Sequence, residues 1–428
     1  MPLKLPKSRA EIRRIQAARK RHAVEQAMRS PFWRPRLEKI RLDRLEDSEE
    51  WRRIPILDKD TLRALTDQQF YSEFCVAPAD GIQEYWRSGG VTGQPLFYPR
   101  SFRDMEYGLE AFARTYDCAG AGKGDRAHIS FPMGIHPVGQ VFARCAASRG
   151  ITVNWAGSGA STPSALQVEL IQRLKPIVWL GMSSYALHLA NLAEAKGVRF
   201  DVGRLMTSAE PVSQAKRDKI ERTWGAKLTD TFGMTECGMM GAESKEDQAG
   251  SGFRIWSDLY FVEVLDPKSL EPVKEGEIGT LVVTSLWSNH ITPFLRWSSG
   301  DLVTYSEADD GAGPYSVFPR LKHAHRTTGF FKVRGINLGH QDLEDFMFRH
   351  LEIGDFRAEA LNDGGNDVLR LSIEVRRDCD GAAMCRRITE EVKAKFELAP
   401  QVVLLETGTL AKEFEANVKA ARFVDRRG

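Results

Sequence analysis

Between residues 127 and 235 short apolar runs alternate with longer amphipathic ones. This alternation limits the folds open to the chain more than any other feature. "AHISFP", "ITVNWAG", "KPIVWLGM", "RLMTSAEP" and "KLTDTFG" read as strands. Between them, "VGQVFARCAASRG", "TPSALQVELIQRL", "SSYALHLANLAEAKG" and "SQAKRDKIERTWG" read as helices. Alternation at this spacing predicts a parallel sheet with helices on its faces. The carboxyl ends of such strands are where ligand groups are placed.

The rhythm changes after residue 250. "FRIWSDLYFVEVLDP", "GTLVVTSL" and "TPFLRWSSGDLVTY" read as strands with no helical run between them, which predicts a β-rich subdomain. From about 326 the order is strand, helix "NLGHQDLEDFMFRH", strand "LRLSIEVRR", helix "AAMCRRITEEVKAKF" and strand "QVVLLETG". That is a separate α+β unit of about 100 residues, within the usual domain range. A chain of 428 residues is too long for one compact core. The expected fold class is α/β: a large domain over 1–325 with parallel sheet, flanking helices and β-rich subdomain, then a small domain over 326–428.

Residues 1–44 carry 14 Lys or Arg against four acids. Such a start can be a transit peptide or a nucleic-acid arm. The spacing of Ile12, Ile15, Ala18, Val24, Ala27 and Met28 favours a helix over 9–29 packed on the body. Further on, Asp58 stands where it can cap a helix in "RIPILDKDTLRAL", and a helix over 101–120 starts at Ser101 and stops near Gly120. The six cysteines form no CxxC pair, which argues against a zinc ribbon or a disulfide framework and fits a reducing cytoplasm. No apolar run approaches a membrane span, and the net charge of +2 says little about partners; neither a nucleic acid nor a membrane is expected as one.

Three segments carry candidate chemistry. "WRSGGVTGQPLFYP" (86–99) gathers Ser88, Gly89, Gly90, Thr92 and Gly93. Glycine N–H groups approach phosphate oxygens closely and the hydroxyls add donors, although a plain turn between two strands has the same composition. It is not a GxxxxGK[ST] loop. "TDTFGMTECG" (229–238) delivers Phe232, Thr235 and Glu236 at a strand end; the aromatic can stack on a purine, and the Thr–Glu pair suits a phosphate and a hard divalent cation. A solvated turn glutamate is the bland alternative. "RWSSGDLVTY" (296–305) offers Asp301, whose carboxylate can accept two hydroxyls of a ribose diol, or simply sit in a Gly-Asp turn.

Taken in order, these segments resemble the adenylate-forming acyl-CoA synthetases, specifically the phenylacetate–CoA ligase branch. "SGGVTGQP" is similar to that family's SSGTTGKP loop, and "SAEP" (208–211), "FGMTE" (232–236), "LRWSSGD" (295–301) and "FKVRGINL" (331–338) to its later motifs. The opening "SPFWRPRL…IPILDKDTLR" also resembles the branch, so the likeness runs from about 9 to 427. It implies an AMP-forming acid–thiol ligase: ATP and an aromatic or arylacetic acid give an acyl adenylate and pyrophosphate, and coenzyme A then displaces AMP. A retained adenylation that loads a carrier protein, and a retired nucleotide-binding homologue, are the alternatives. The implied setting is cytoplasmic, with a homodimer allowed.

The resemblance also implies roles. Residues 88–93 would hold the β- and γ-phosphates. Ala209, Glu210 and Pro211 would line the adenine, with Phe232 stacked on it. Thr235 would contact the α-phosphate, Glu236 would bind Mg²⁺, Asp301 would take the ribose hydroxyls and Arg326 the nucleotide. Lys419 would be the adenylation lysine, counted back from "ARFVDRR", with Lys412 as its rival. The small domain would be mobile and rotate about residues 325–329, where Gly329 can absorb the change. The acid pocket would be walled by Met133, Ile135, Trp155 and Met182, with His136 either binding a substrate hydroxyl or capping a loop.

Four positions depart from the family pattern. The loop lysine is Gln94, the hinge reads "HRTTG" without an acid, Arg254 replaces a histidine, and "EANVKA" lacks the glycine that usually precedes the lysine. The Arg254 change argues against a metal site there.

Overall fold

The computed structural model describes residues 3–76, 81–87, 95–307, 312–326, 330–363, 366–416 and 421–427; the side chains of His325, Arg326 and Asn366 are also left aside. The chain is mixed α/β and gathers into two compact units. One comprises Met1–Gly124, Gly134–Ile151 and Thr229–Thr327; the other comprises Asp125–Met133, Thr152–Leu228 and Thr328–Gly428. Each is described by itself.

The second unit holds the expected parallel sheet. Strands Thr152–Trp155, Arg126–Ile129, Val178–Gly181 and Arg204–Thr207 lie side by side in that order, all parallel, with Ile129 opposite Trp155 and Leu180, and Gly181 opposite Thr207. Val178–Gly181 is buried throughout, as an unalternating apolar strand in the middle of a parallel sheet should be. Helices Ser164–Leu174, Ser183–Ala195 and Gln214–Trp224 follow the strands as read from the sequence. Trp224 ties two of these layers together: its indole N–H donates to the Ala186 carbonyl at 2.9 Å, and its ring lies 5.2 Å from that of Trp179.

The same unit contains residues 330–427. A hairpin of Phe330–Val333 and Ile336–Gly339 leads into helix His340–Arg349. A four-stranded sheet follows, ordered Gln401–Leu405, Asn366–Val375, Ile353–Asp363 and Phe423–Asp425, with helix Gly381–Phe396 against it. Two of these strands are absent from the sequence reading. Ile353–Asp363 mixes Gly354, Asp355, Arg357 and Glu359 among its apolar residues, because Asp355 and Glu359 face arginines of the terminal segment. Phe423–Asp425 is only three residues long and is held by parallel pairing to Ala358–Ala360.

The first unit carries the antiparallel strands. Tyr260–Leu265, Gly279–Ser285, Trp297–Ser306, Arg320–Arg326, Phe253–Ile255, Gly238–Ala242 and Lys227–Met234 run in that order. "FRIWSDLYFVEVLDP", read as one strand, is two, broken where Leu259 and Tyr260 turn back to the Trp256 carbonyl. Helix Arg9–Ala27 does pack on the body: Ile12, Ala23, Val24 and Ala27 are buried, and Gln16 and Gln26 donate to the carbonyls of Ser257 and His290 at 2.8 Å each. Helix Phe102–Ala119 starts at a capping box of Ser101 and Asp104 and stops at Gly120 in the left-handed region (φ 73°). Asp58 caps helix Lys59–Arg63 through the Thr61 N–H. Among the described residues no helix is long and apolar enough to cross a membrane.

Candidate active site

The residues flanking the glycine run form a hairpin. Ile82–Arg87 pairs antiparallel with Phe97–Ser101, placing Arg87 opposite Phe97 and Trp86 opposite Tyr98. Ser88, Gly89, Gly90, Thr92, Gly93 and Gln94 themselves lie outside the described residues, as do Gly329 and Lys419.

The second strand of that hairpin builds the surroundings of Glu236. Tyr98 donates its hydroxyl to Glu236 Oε1 at 3.2 Å. Arg100, only 2% exposed, donates to the carbonyls of Thr235 (2.7 Å) and Glu236 (2.6 Å) and to Thr292 Oγ1 (3.1 Å). Burial and the neighbouring Glu236 charge push the Tyr98 phenol far above its ordinary pKa, so it stays a donor. Glu236 is itself 6% exposed. Its Oε2 receives no hydrogen bond among the described residues, which leaves one oxygen for a cation whose remaining ligands are phosphate and water. The donor set therefore fits Mg²⁺ bound jointly with a nucleotide. Among the described residues there is no group of three His, Cys, Asp or Glu that would hold a metal alone.

Phe232 and Thr235 are delivered by the strand Lys227–Met234 and the turn after it. Gly233 is obligatory there, since a Cβ would meet the Gly238 carbonyl oxygen at 2.6 Å. The Phe232 ring stacks on Phe253 (5.4 Å, 26°) and lies 6.3 Å from the His323 ring. His323 in turn reaches Asp301 Oδ1 at 3.3 Å, and Ser299 Oγ donates to Asp301 Oδ2 at 2.6 Å. Arg326 stands opposite Asp301 in the antiparallel register. In this unit, then, the Phe232 ring, the Asp301 carboxylate and the Arg326 backbone form one group, bridged by His323. No sequence signal had singled out Tyr98, Arg100, Ser299 or His323, because each acts through a partner distant in the chain or through a simple Ser-Gly-Asp turn.

In the other unit, the "SAEP" turn follows strand Arg204–Thr207. Ala209 adopts φ 70°, a left-handed conformation that costs a non-glycine residue about 1 kcal/mol or more. Glu210 holds it there. Its carboxylate accepts from Ser184 N–H (2.9 Å), Ser184 Oγ (2.8 Å) and Ser183 Oγ (3.1 Å), capping helix Ser183–Ala195, whose own N-cap residue Met182 offers no acceptor. The side chain of Glu210 is thus occupied, and it is the turn itself, with Ala209 and Pro211 exposed, that presents a surface for a flat ring.

The expected pocket residues divide between the units. Met133 is half-buried, Trp155 is 57% exposed at the carboxyl end of its strand, and Met182 is buried. Met133 lies against the loop that follows Trp155, its Cγ 3.5 Å from where a Cβ on Gly157 would stand. Gln167, fully buried, fastens that loop: its amide donates to the carbonyls of Gly157 and Thr162 at 2.9 Å each, and its oxygen accepts from Ser130 (2.7 Å) and faces His128 Nε2 (3.2 Å). Ile135 and His136 belong to the first unit. Ile135 is exposed; His136 occupies the N-cap of helix Pro137–Ser148 without a side-chain cap bond, its ring nitrogen 3.2 Å from Arg87. Arg254, standing where the resembling family has a histidine, is fully buried in a two-pronged ion pair with Asp247 (2.7 and 2.8 Å).

The family model for the AMP-binding enzymes matches residues 88–288. The phenylacetate-coenzyme A ligase of Thermus thermophilus is 29% identical over 376 residues, covering 86% of this chain and 82% of its own. That of Pseudomonas putida is 27% identical over 398 residues, covering 90% and 87%. Over most of its length the chain is similar to the phenylacetate–CoA ligases among the adenylate-forming enzymes. A crystal structure of 2-hydroxyisobutyryl-CoA ligase, in the postadenylation state with 2-HIB-AMP, superposes with a TM-score of 0.86 at 24% identity, covering 98% of this chain and 90% of that one. At that identity the likeness speaks for the fold, which is the α/β fold of this branch.

Proposed function

We propose that the protein activates an aromatic or arylacetic acid as its acyl adenylate and transfers the acyl group to coenzyme A. The likeness to the AMP-binding enzymes and to the phenylacetate-coenzyme A ligases supports an AMP-forming acid–CoA ligase that uses ATP, CoA and a carboxylic acid. The observation that carries the adenylation is the Glu236 carboxylate, buried, oriented by Tyr98 and anchored through Arg100, next to a strand end that presents Phe232.

In the first half-reaction a carboxylate oxygen of the acid bonds to the α-phosphorus while the bond to pyrophosphate breaks. Negative charge grows on the α-phosphate and on the leaving group. Thr235 meets the former, the N–H groups and hydroxyls of residues 88–93 meet the latter, and Lys419 supplies an ammonium that Gln94 cannot. Mg²⁺, when bound at Glu236, neutralises phosphate charge. Phe232 and the Ala209–Pro211 turn hold the adenine, while Asp301 and Arg326 orient the ribose and phosphate. In the second half-reaction the CoA sulfur bonds to the acyl carbon, the bond to AMP breaks and the thiol proton is lost to solvent. A division at 325/326, with rotation about 325–329, would let one site serve both steps. Such preorganised charge stabilisation and positioning are the main catalytic terms open to a phosphoryl displacement.

The aromatic preference rests on Trp155 and Met133 beside a fastened loop, and on the substrate named for the curated relatives. Pyrophosphate release measured over a panel of aromatic and short aliphatic acids, with and without CoA, tests the reading. An aromatic acid should support release alone and form thioester only with CoA. Activity confined to small aliphatic acids would overturn the aromatic assignment, and no release with any acid would overturn adenylation.

A further inference from the structure

Helix Ser164–Leu174 begins after Pro163, its N-cap residue, which has no side-chain acceptor. The first N–H groups of a helix need partners from elsewhere. Ser164 N–H finds one in the carboxylate of Glu415, at 3.1 Å to Oε1 and 3.3 Å to Oε2. Glu415 belongs to the short helix Lys412–Ala416, some 250 residues further along the same unit.

Its neighbour Phe414 is buried in the same place. The ring stacks on His188 (5.0 Å, 13°) and tilts over Tyr185 (5.6 Å, 53°), and the Tyr185 hydroxyl is paired with Ser164 Oγ at 2.9 Å. The Phe414 backbone approaches so closely that a Cβ on Gly159 would stand 2.4 Å from its carbonyl oxygen. A carboxylate, a ring and a carbonyl thus converge on one loop and two helix starts of the parallel-sheet region. Downstream, Arg422 is ion-paired with Asp355 and lies 3.3 Å from Glu344, which also meets Lys216 at 3.2 Å. Lys419 falls between these two anchorages, five residues after Phe414 and three before Arg422.

We propose that Phe414 and Glu415, seated on Gly159, Ser164, Tyr185 and His188, are positioning residues for the adenylation step. Five residues of chain span at most about 17 Å, so the place where Phe414 is seated sets the reach open to position 419. The inference rests on the adenylation role assigned to Lys419. Phe414 and Glu415 make this contact through one aromatic ring, one carboxylate and one close backbone approach, separately from the bonds by which Lys216 and Asn191 meet Glu344 and Gly354.

The test separates the half-reactions. Phe414→Ala and Gly159→Val should slow acid-dependent pyrophosphate release by about 10-fold or more, the cost of misplacing a reacting group. Thioester formation from synthetic acyl adenylate and CoA should stay within about twofold of the unaltered enzyme, as expected if positioning alone is lost. Glu415→Ala should act in the same direction and Glu415→Asp restore part of the rate, with thermal melting curves identifying any variant that fails to fold. Equal loss of both half-reactions, or unchanged pyrophosphate release in folded variants, overturns the proposal. Lys419→Ala is measured alongside. If it slows adenylation and the anchor variants do not, this inference alone falls; if it leaves adenylation intact, the reading of Lys419 falls and takes the inference with it.

Discussion

Tyr98 donates its hydroxyl to Glu236 across the first unit, joining the strand that closes the glycine hairpin to the turn that follows Phe232. The bond orients one carboxylate oxygen, and the other receives no hydrogen bond among the described residues. Glu236→Gln should lower adenylation by about 10²-fold, the scale for losing one charge stabiliser. Tyr98→Phe should instead raise the Mg²⁺ concentration needed for half-maximal rate by about 10-fold, since a hydrogen bond to a charged group contributes roughly 1.5–3 kcal/mol. A magnesium titration of pyrophosphate release checks both. An unaltered titration curve in Tyr98→Phe would remove the orienting role.

Arg100 serves the same turn by a different means. Its guanidinium bonds to one buried and one part-buried carbonyl and to a threonine hydroxyl. Arg100→Ala strands those acceptors, so stability should fall by about 2–4 kcal/mol, read from denaturant unfolding. Arg100→Lys should recover little of it, because an ammonium cannot span both carbonyls with the planar fork they face. A loss within experimental error would show that the carbonyls find other partners.

Lys419 and Lys412 make opposite predictions. Lys412 opens the helix Lys412–Ala416, seven residues before Lys419. Lys419→Ala should slow adenylate formation by about 10²- to 10³-fold, the magnitude expected for an electrostatic stabiliser, and spare thioester formation from preformed adenylate. Lys412→Ala should leave both half-reactions close to normal. The reverse pattern would mean that the C-terminal match to the family is displaced by one helix.

His128 makes stability depend on pH. It is wholly buried, with Asn154 Nδ2 2.8 Å from Nδ1 and Gln167 Oε1 3.2 Å from Nε2, a pairing that suits the neutral ring. Burial, opposed only weakly by the Gln167 bond, pulls its pKa down to about 4. The unfolded chain takes up a proton near pH 6.5 that the folded chain refuses, so stability falls as the pH drops from about 6.5 to 4, by roughly 3 kcal/mol in full. His340 is also pulled down to about 4 by burial and adds a loss over the same window. Urea unfolding of His128→Gln from pH 7 to 4 should show a shallower decline than the unaltered protein. Parallel curves would contradict the assignment.

What the sequence determines by itself is whatever depends on local periodicity and on contiguous motifs. The strand–helix alternation over 127–235, the helix from Ser101 to Gly120 and the Asp58 cap were legible because each depends on residues within a turn or two of one another. The motifs at 208–211, 232–236 and 295–301 were legible for a related reason: each is a short run delivered by one strand end. Other features depend on partners far apart in the chain. Ile353–Asp363 hid as a strand because its charged residues answer arginines 67 residues away. Glu210 looked like a residue facing the nucleotide, yet its carboxylate caps a helix begun 27 residues earlier. Glu415 caps a helix 251 residues before it, and Gly159 is glycine because a backbone carbonyl from residue 414 lies against it. A buried charge or an uncapped helix end must be satisfied by whichever group the tertiary fold brings within about 3 Å, and one-dimensional spacing carries no record of that distance.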